Sequence, residues 1–68
     1  MNVKYFRDTD TALLEFSDHA VAETKEVTED VYLDLDANGD LVSMTIEHAT
    51  RIANLPEIVV QEFDAGVA

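Results

Sequence analysis

The segment Asp34-Leu35-Asp36-Ala37-Asn38-Gly39-Asp40 sets side-chain oxygens at alternate positions, with glycine in the sixth place. Such spacing wraps carboxylates and amides round a hard cation, and the glycine permits the sharp bend of a calcium loop. The second half departs from that pattern. Its twelfth place, where a bidentate Glu belongs, is Thr45, and the residues before it alternate like a strand. A weak divalent-cation site among Asp34, Asp36 and Asp40 is therefore one reading, and a plain hairpin turn is the simpler one.

Glu47-His48 offers a second chemistry, a carboxylate beside an imidazole for acid/base work. Neighbours along a strand project to opposite faces, so the two would need a group from a second subunit to form a site. His48 shares the parity of Met44 and Ile46. It is expected at the margin of the core, bonded to backbone. His19 falls in a connection and is expected in solvent. Ser17 and Ser43 lack the context of a nucleophile elbow, and Gly39 and Gly66 cannot form a phosphate-cradling loop. With no Cys and two His, a structural zinc site within one chain is not expected. The acid pairs Asp8/Asp10 and Glu29/Asp30 read as solvated turn residues. The residues thus point away from an enzyme, with no catalytic residue and no cofactor.

The elements that would position these groups are strands. Val31 to Ile46 alternates apolar and polar on both sides of Asn38-Gly39, a dipeptide suited to a two-residue turn with positive φ at both centres. Folding on that turn sets Leu35 against Val42, Leu33 against Met44 and Val31 against Ile46. Asp34 then meets Ser43, and Tyr32 meets Thr45. One face is apolar and the other polar, as a half-buried antiparallel pair requires.

Met1 to Phe6 and Thr11 to Phe16 form a second pair, with Val3 opposite Leu14 and Tyr5 opposite Ala12. A turn at Asp8-Thr9 and a four-residue loop give the same register. Residues 17–20 connect onward, and the charged alternation of residues 21–28 suits an exposed edge strand. After Ile46, residues 47–55 can close one or two helical turns, with Ala49, Ile52 and Ala53 on one face and Pro56 as a stop. Residues 58–63 are β-prone, either a further strand or an arm to another subunit, and residues 64–68 read as a loose tail.

Three stretches, in this order, resemble a small bacterial and archaeal family, the domain of unknown function 2283. They are the acidic turn and strand from Asp10 to Asp18, the edge from Val21 to Val27, and the hairpin from Asp34 to Ala49 ending in Ile46-Glu47. Leu13 stands where that family often has Tyr, and Ser43 where Gly is common. The resemblance covers about residues 3 to 50. It implies a compact, mostly β domain with a short helix after the central hairpin, and no established activity. It carries over no catalytic or binding residue. Members are often single small proteins, which suits an interaction module better than an enzyme.

The expected architecture is α+β, a small antiparallel β-meander sheet of four or five strands with a short C-terminal helix. It divides into a domain over residues 1–56 and a C-terminal segment over residues 57–68. The helix is expected to cover an apolar face of Val3, Leu14, Phe16, Val31, Leu33, Leu35, Val42, Met44 and Ile46. Sixty-eight residues bury a thin core, so a homodimer or larger homo-oligomer is expected to complete it. Fifteen acids against four bases give a net charge of −11, which disfavours nucleic acid and anionic membranes. The same charge would attract a basic protein, as an antitoxin attracts a basic toxin. No apolar leader or membrane span is visible, and a cytoplasmic protein is the default expectation.

Overall fold

The computed structural model describes residues 1–53 and Gln61. Five strands form one antiparallel sheet: β1 (Asn2–Phe6), β2 (Thr11–Glu15), β3 (Glu23–Thr28), β4 (Val31–Leu35) and β5 (Leu41–Glu47). A short helix, α1 (Ala49–Ile52), follows β5. The strand order is β1-β2-β5-β4-β3. β3, β4 and β5 are a meander. The connection over residues 16–22 runs along one end of the sheet and returns β3 to the far side, giving β2 to β5 a Greek-key order. β3 is an edge because its alternation offers no apolar row to bury: all six of its residues are exposed.

The registers follow from period-2 alternation. Val3 pairs Leu14 and Tyr5 pairs Ala12, with residues 7–10 as a four-residue loop. In the central hairpin Val31 pairs Ile46, Tyr32 pairs Thr45, Leu33 pairs Met44 and Asp34 pairs Ser43. The last expected pair is corrected. Leu35 faces Leu41, not Val42, because the register shifts between Asp34 and Leu35. The cause lies in the turn. Asp36 N–H donates to Asp40 O at 2.9 Å and Gly39 N–H to Asp36 O at 3.0 Å, closing a three-residue loop. Gly39 alone has positive φ there, at 83°; Asn38 does not. The odd loop length displaces the pairing by one residue, and a bulge at Val42 absorbs it.

This turn makes a prediction that separates the two turn types. Gly39→Ala is expected to cost about 1 kcal/mol from the left-handed backbone alone, since nothing lies within 4 Å of an added Cβ. Asn38→Ala is expected to stay within about 0.5 kcal/mol. Urea unfolding of both variants checks this, and equal losses would restore the two-residue turn.

The main buried cluster sits at one end of the sheet beneath α1, and Val42, 5% exposed, is buried apart from it near the hairpin turn. Ala12, Ile46 and Ala49 are buried together, with Tyr5, Leu14, Met44 and Ala53 packed against them. Ala49 and Ala53 stand one helical turn apart and face the sheet, whereas Ile52 is 45% exposed. The expected apolar face of the helix is therefore narrower than drawn above. Four helical residues cannot span five strands, so the cover that α1 gives is partial. Val31, Leu33 and Leu35 are half-buried, and Val3 and Phe16 are exposed. The expected strand over residues 58–63 (Gln61 apart), the tail and the boundary at residue 57 lie outside the described residues.

Candidate functional site

The chemistry-bearing residues gather at three joints, each built on an aspartate in or beside a turn. Two joints flank α1 at one end of the sheet. Asp10 ends the 7–10 loop with φ of 53°, a conformation Asp tolerates better than most residues. Its carboxylate accepts from Tyr5 Oη at 2.5 Å and from Thr50 Oγ1 at 2.8 Å, and the Thr50 N–H approaches at 3.2 Å. Its backbone oxygen accepts the Ala49 N–H at 2.9 Å. One residue thus joins the β1–β2 hairpin to the first turn of α1. The Tyr5 hydroxyl, and after it Thr50, hold the Asp10 carboxyl below the usual carboxylate range. The same bond pushes the Tyr5 phenol up.

Asp30 does the same for the other hairpin. It is buried in the β3–β4 turn. Its carboxylate accepts from His48 Nδ1 at 2.8 Å and from Arg51 at 3.0 Å. Its backbone oxygen accepts the Glu47 N–H at 2.7 Å. His48 therefore departs from its expected place. It has left the strand with φ of 54°, its side chain is 65% exposed, and its partner is a carboxylate rather than backbone. Glu47 stays on the strand as the partner of Thr11. The two side chains turn apart and assemble no acid/base pair within the chain.

The third joint lies at the opposite end. Asp36 is buried, and its Oδ1 accepts the N–H groups of Asn38 and Asp40, both at 2.9 Å. Its Oδ2 accepts His19 Nδ1, also at 2.9 Å. The 16–22 connection is thereby held against the hairpin turn, assisted by the Phe16 and Ala22 N–H groups on Val42 O and Leu35 O. His19, expected in solvent, is exposed but bonded. The His19 ring, and next the Asp40 N–H, keep Asp36 below the usual carboxylate range. The Asp36 carboxylate raises His19 in return.

The calcium-loop reading meets this geometry directly. Asp34 is tied elsewhere, accepting Thr24 Oγ1 and Ser43 Oγ, each at 2.6 Å, in a row across β3, β4 and β5. Asp36 is engaged by its own turn and by His19, and Asp40 is exposed. Asp34, Asp36 and Asp40 are not brought together, and no group of three or more His or acidic side chains able to hold a metal occurs among the described residues. No imidazole bonds the Ser17 or Ser43 hydroxyl; Ser17 Oγ accepts the His19 backbone N–H and Ser43 Oγ donates to Asp34. A depression of about 230 Å³ beside Met1, Asn2, Glu15, Phe16, Ser17 and Asp18 is smaller and more open than a small-molecule pocket.

Asp10 and Asp30 are the residues that the sequence reading missed. Both were expected as solvated turn acids. Their partners Thr50, His48 and Arg51 lie some 20 to 40 residues away, and no local pattern announces them. No helix among the described residues is long and apolar enough to cross a membrane.

A family model described as a protein of unknown function, DUF2283, matches residues 2–49. The match spans both hairpins, β3 and the start of α1, and the chain belongs to that family. No curated protein matches the chain. No solved structure matches it either.

Proposed function

We propose that this member of the DUF2283 family is a non-enzymatic protein-interaction module that works as a homo-oligomer. The observation that carries the reading is a sheet whose apolar face is only partly covered by the described residues. Among the described residues four apolar ones are buried, none of them large and fully enclosed, while Val3 and Phe16 each remain 38% exposed. A core that thin is marginal for an independent domain, and in a chain without cysteine a second protein surface is one source of further burial. The acids that first suggested a cation site, Asp34 and Asp36, are bonded within the fold, which supports a structural role over a cation site.

Light scattering behind size exclusion, at low and high salt, tests this. The expected result is a dimer or larger assembly at both salts. A monomer at every concentration and salt would overturn the homo-oligomer. A second reading is favoured by the charge of −11: the chain is the acidic partner of a basic protein, in the manner of an antitoxin. Charge of that size speeds and orients association with a basic surface. Recovery of a stoichiometric basic partner from the native host, lost at high salt, is its expected signature.

A further inference from the structure

The two edges of the sheet are unlike, and the difference selects one of them. β3 carries a register shift between Glu26 and Thr28 that sets Val27 outside the ladder. It bears Glu23, Lys25 and Glu26 and leads into Glu29-Asp30. Bulges and charges of this kind are how an edge is closed to further strands. β1 has no register shift, and its one charged residue, Lys4, is ion-paired with Glu15 of β2 at 3.1 Å. All five of its residues pair β2 in unbroken register. Residues 1–7 contain two of the four bases, Lys4 and Arg7, and no acid. Met1, Val3 and Phe6 along it are 71, 38 and 47% exposed.

We infer that β1 is the edge through which a second copy of this chain pairs, antiparallel, joining two five-stranded sheets into one continuous sheet. The inference rests on the homo-oligomer reading and adds the surface and register. Two chains of −11 repel one another, and the approach that costs least is through the stretch that holds no acid. A twofold axis normal to the sheet pairs residues of the same face, so only three registers keep β1 overlapped with itself. Centring on Lys4 sets two like charges directly opposite, which is unfavourable. Centring on Tyr5 sets Lys4 against Phe6 and runs Val3 into the loop at Arg7. Centring on Val3 sets Val3 against Val3 and Asn2 against Lys4. It extends the row of exposed Val3 and half-buried Leu14, Met44 and Leu33 into the second copy.

The chain has no cysteine, so single cysteines read this register without background. Residues directly opposite in an antiparallel pair have Cα atoms about 4.5 or 5.5 Å apart, within disulfide reach. Val3→Cys is tolerated sterically because the site is partly exposed. Under mild oxidation it is expected to cross-link most of the protein into a covalent dimer with an unchanged melting profile. Val27→Cys on the other edge is expected to leave background levels only. Scattering on the unmodified chain runs alongside. An oligomer in which Val3→Cys stays reduced, or Val27→Cys cross-links instead, overturns the edge assignment and leaves the homo-oligomer standing. A monomer at every concentration overturns both. Val3→Lys gives a second reading, since it sets like charges opposite each other. At least a tenfold weaker dimer is expected, and an unchanged dimer of a folded variant would sink the inference.

Discussion

Ile46→Ala is expected to cost about 2–5 kcal/mol, a large part of the roughly 3–10 kcal/mol that a chain of this length holds. Ile46 is 8% exposed and is the largest member of the buried cluster it forms with Ala12 and Ala49. Those neighbours are alanines, already small and fixed to backbone, so they cannot lean in to fill the space. A cavity therefore remains, and the transfer loss is joined by the loss of contacts across it. For a domain of this size each kcal/mol moves the thermal midpoint by about 4–8 °C, so a fall of roughly 10 °C or more is expected. Circular-dichroism melts measure it. Ile52→Ala is the control. Its side chain is apolar too, but the residue is 45% exposed and is expected to matter by less than about 0.5 kcal/mol. Equal losses at the two positions would mean that the core does not sit beneath α1.

Asp10→Asn is expected to destabilise the protein at neutral pH, and the loss is expected to vanish in acid. Asn keeps the shape and tolerates positive φ, so the change isolates the carboxylate charge that Tyr5 and Thr50 bond. Asp10 has a folded pKa below its ordinary 3.8. A depressed folded pKa contributes stability above the unfolded value, and that contribution disappears as pH falls through the folded one. The gap between the two proteins should thus be full from neutrality down to about pH 4. It should close below that as Asp10 takes up its proton. The net charge works against the effect, since any Asp→Asn change relieves some repulsion in a chain of −11. Asp8→Asn, exposed in the same loop, reports that relief alone and is expected to be neutral or mildly stabilising. A gap that persists unchanged at pH 2, or an equal loss in Asp8→Asn, would refute the assignment of Asp10 as a joint.

His19 and Asp36 add a second pH dependence with both signs. Asp36 is depressed, so its contribution is lost as pH falls through its folded pKa. His19 is raised above 6.5, so its contribution is complete below 6.5 and is lost as pH rises through the folded value. Their bond holds the 16–22 connection most firmly between roughly pH 4 and 6.5. Salt weakens it, because the His19 side chain is 61% exposed.

Most of the sheet was legible because its determinants are local. Alternation in residues 31–46 names the buried face of each strand. Gly39 marks the bend, and the two together give four of the five central pairs. The fifth failed for a local reason as well: Asn38-Gly39 suits a two-residue turn, yet the Asp36 carboxylate takes the Asn38 and Asp40 N–H groups and favours the longer loop. The candidate site was less legible. An aspartate in a turn reads the same whether it is solvated or bonded, and the partners that tie Asp10 and Asp30 to α1 lie far along the chain.

By itself, then, the sequence determined the strands, their faces, the two hairpins, the exposed edge and the short helix, since all of these rest on periodicity and turn chemistry within a few residues. The tertiary structure decided the placement of β2 beside β5, the partial cover of the apolar face and the use of Asp10, Asp30 and Asp36 as joints. Those depend on which distant surfaces meet, and an antiparallel pair between β2 and β5 buries its apolar row at a separation that no local pattern encodes.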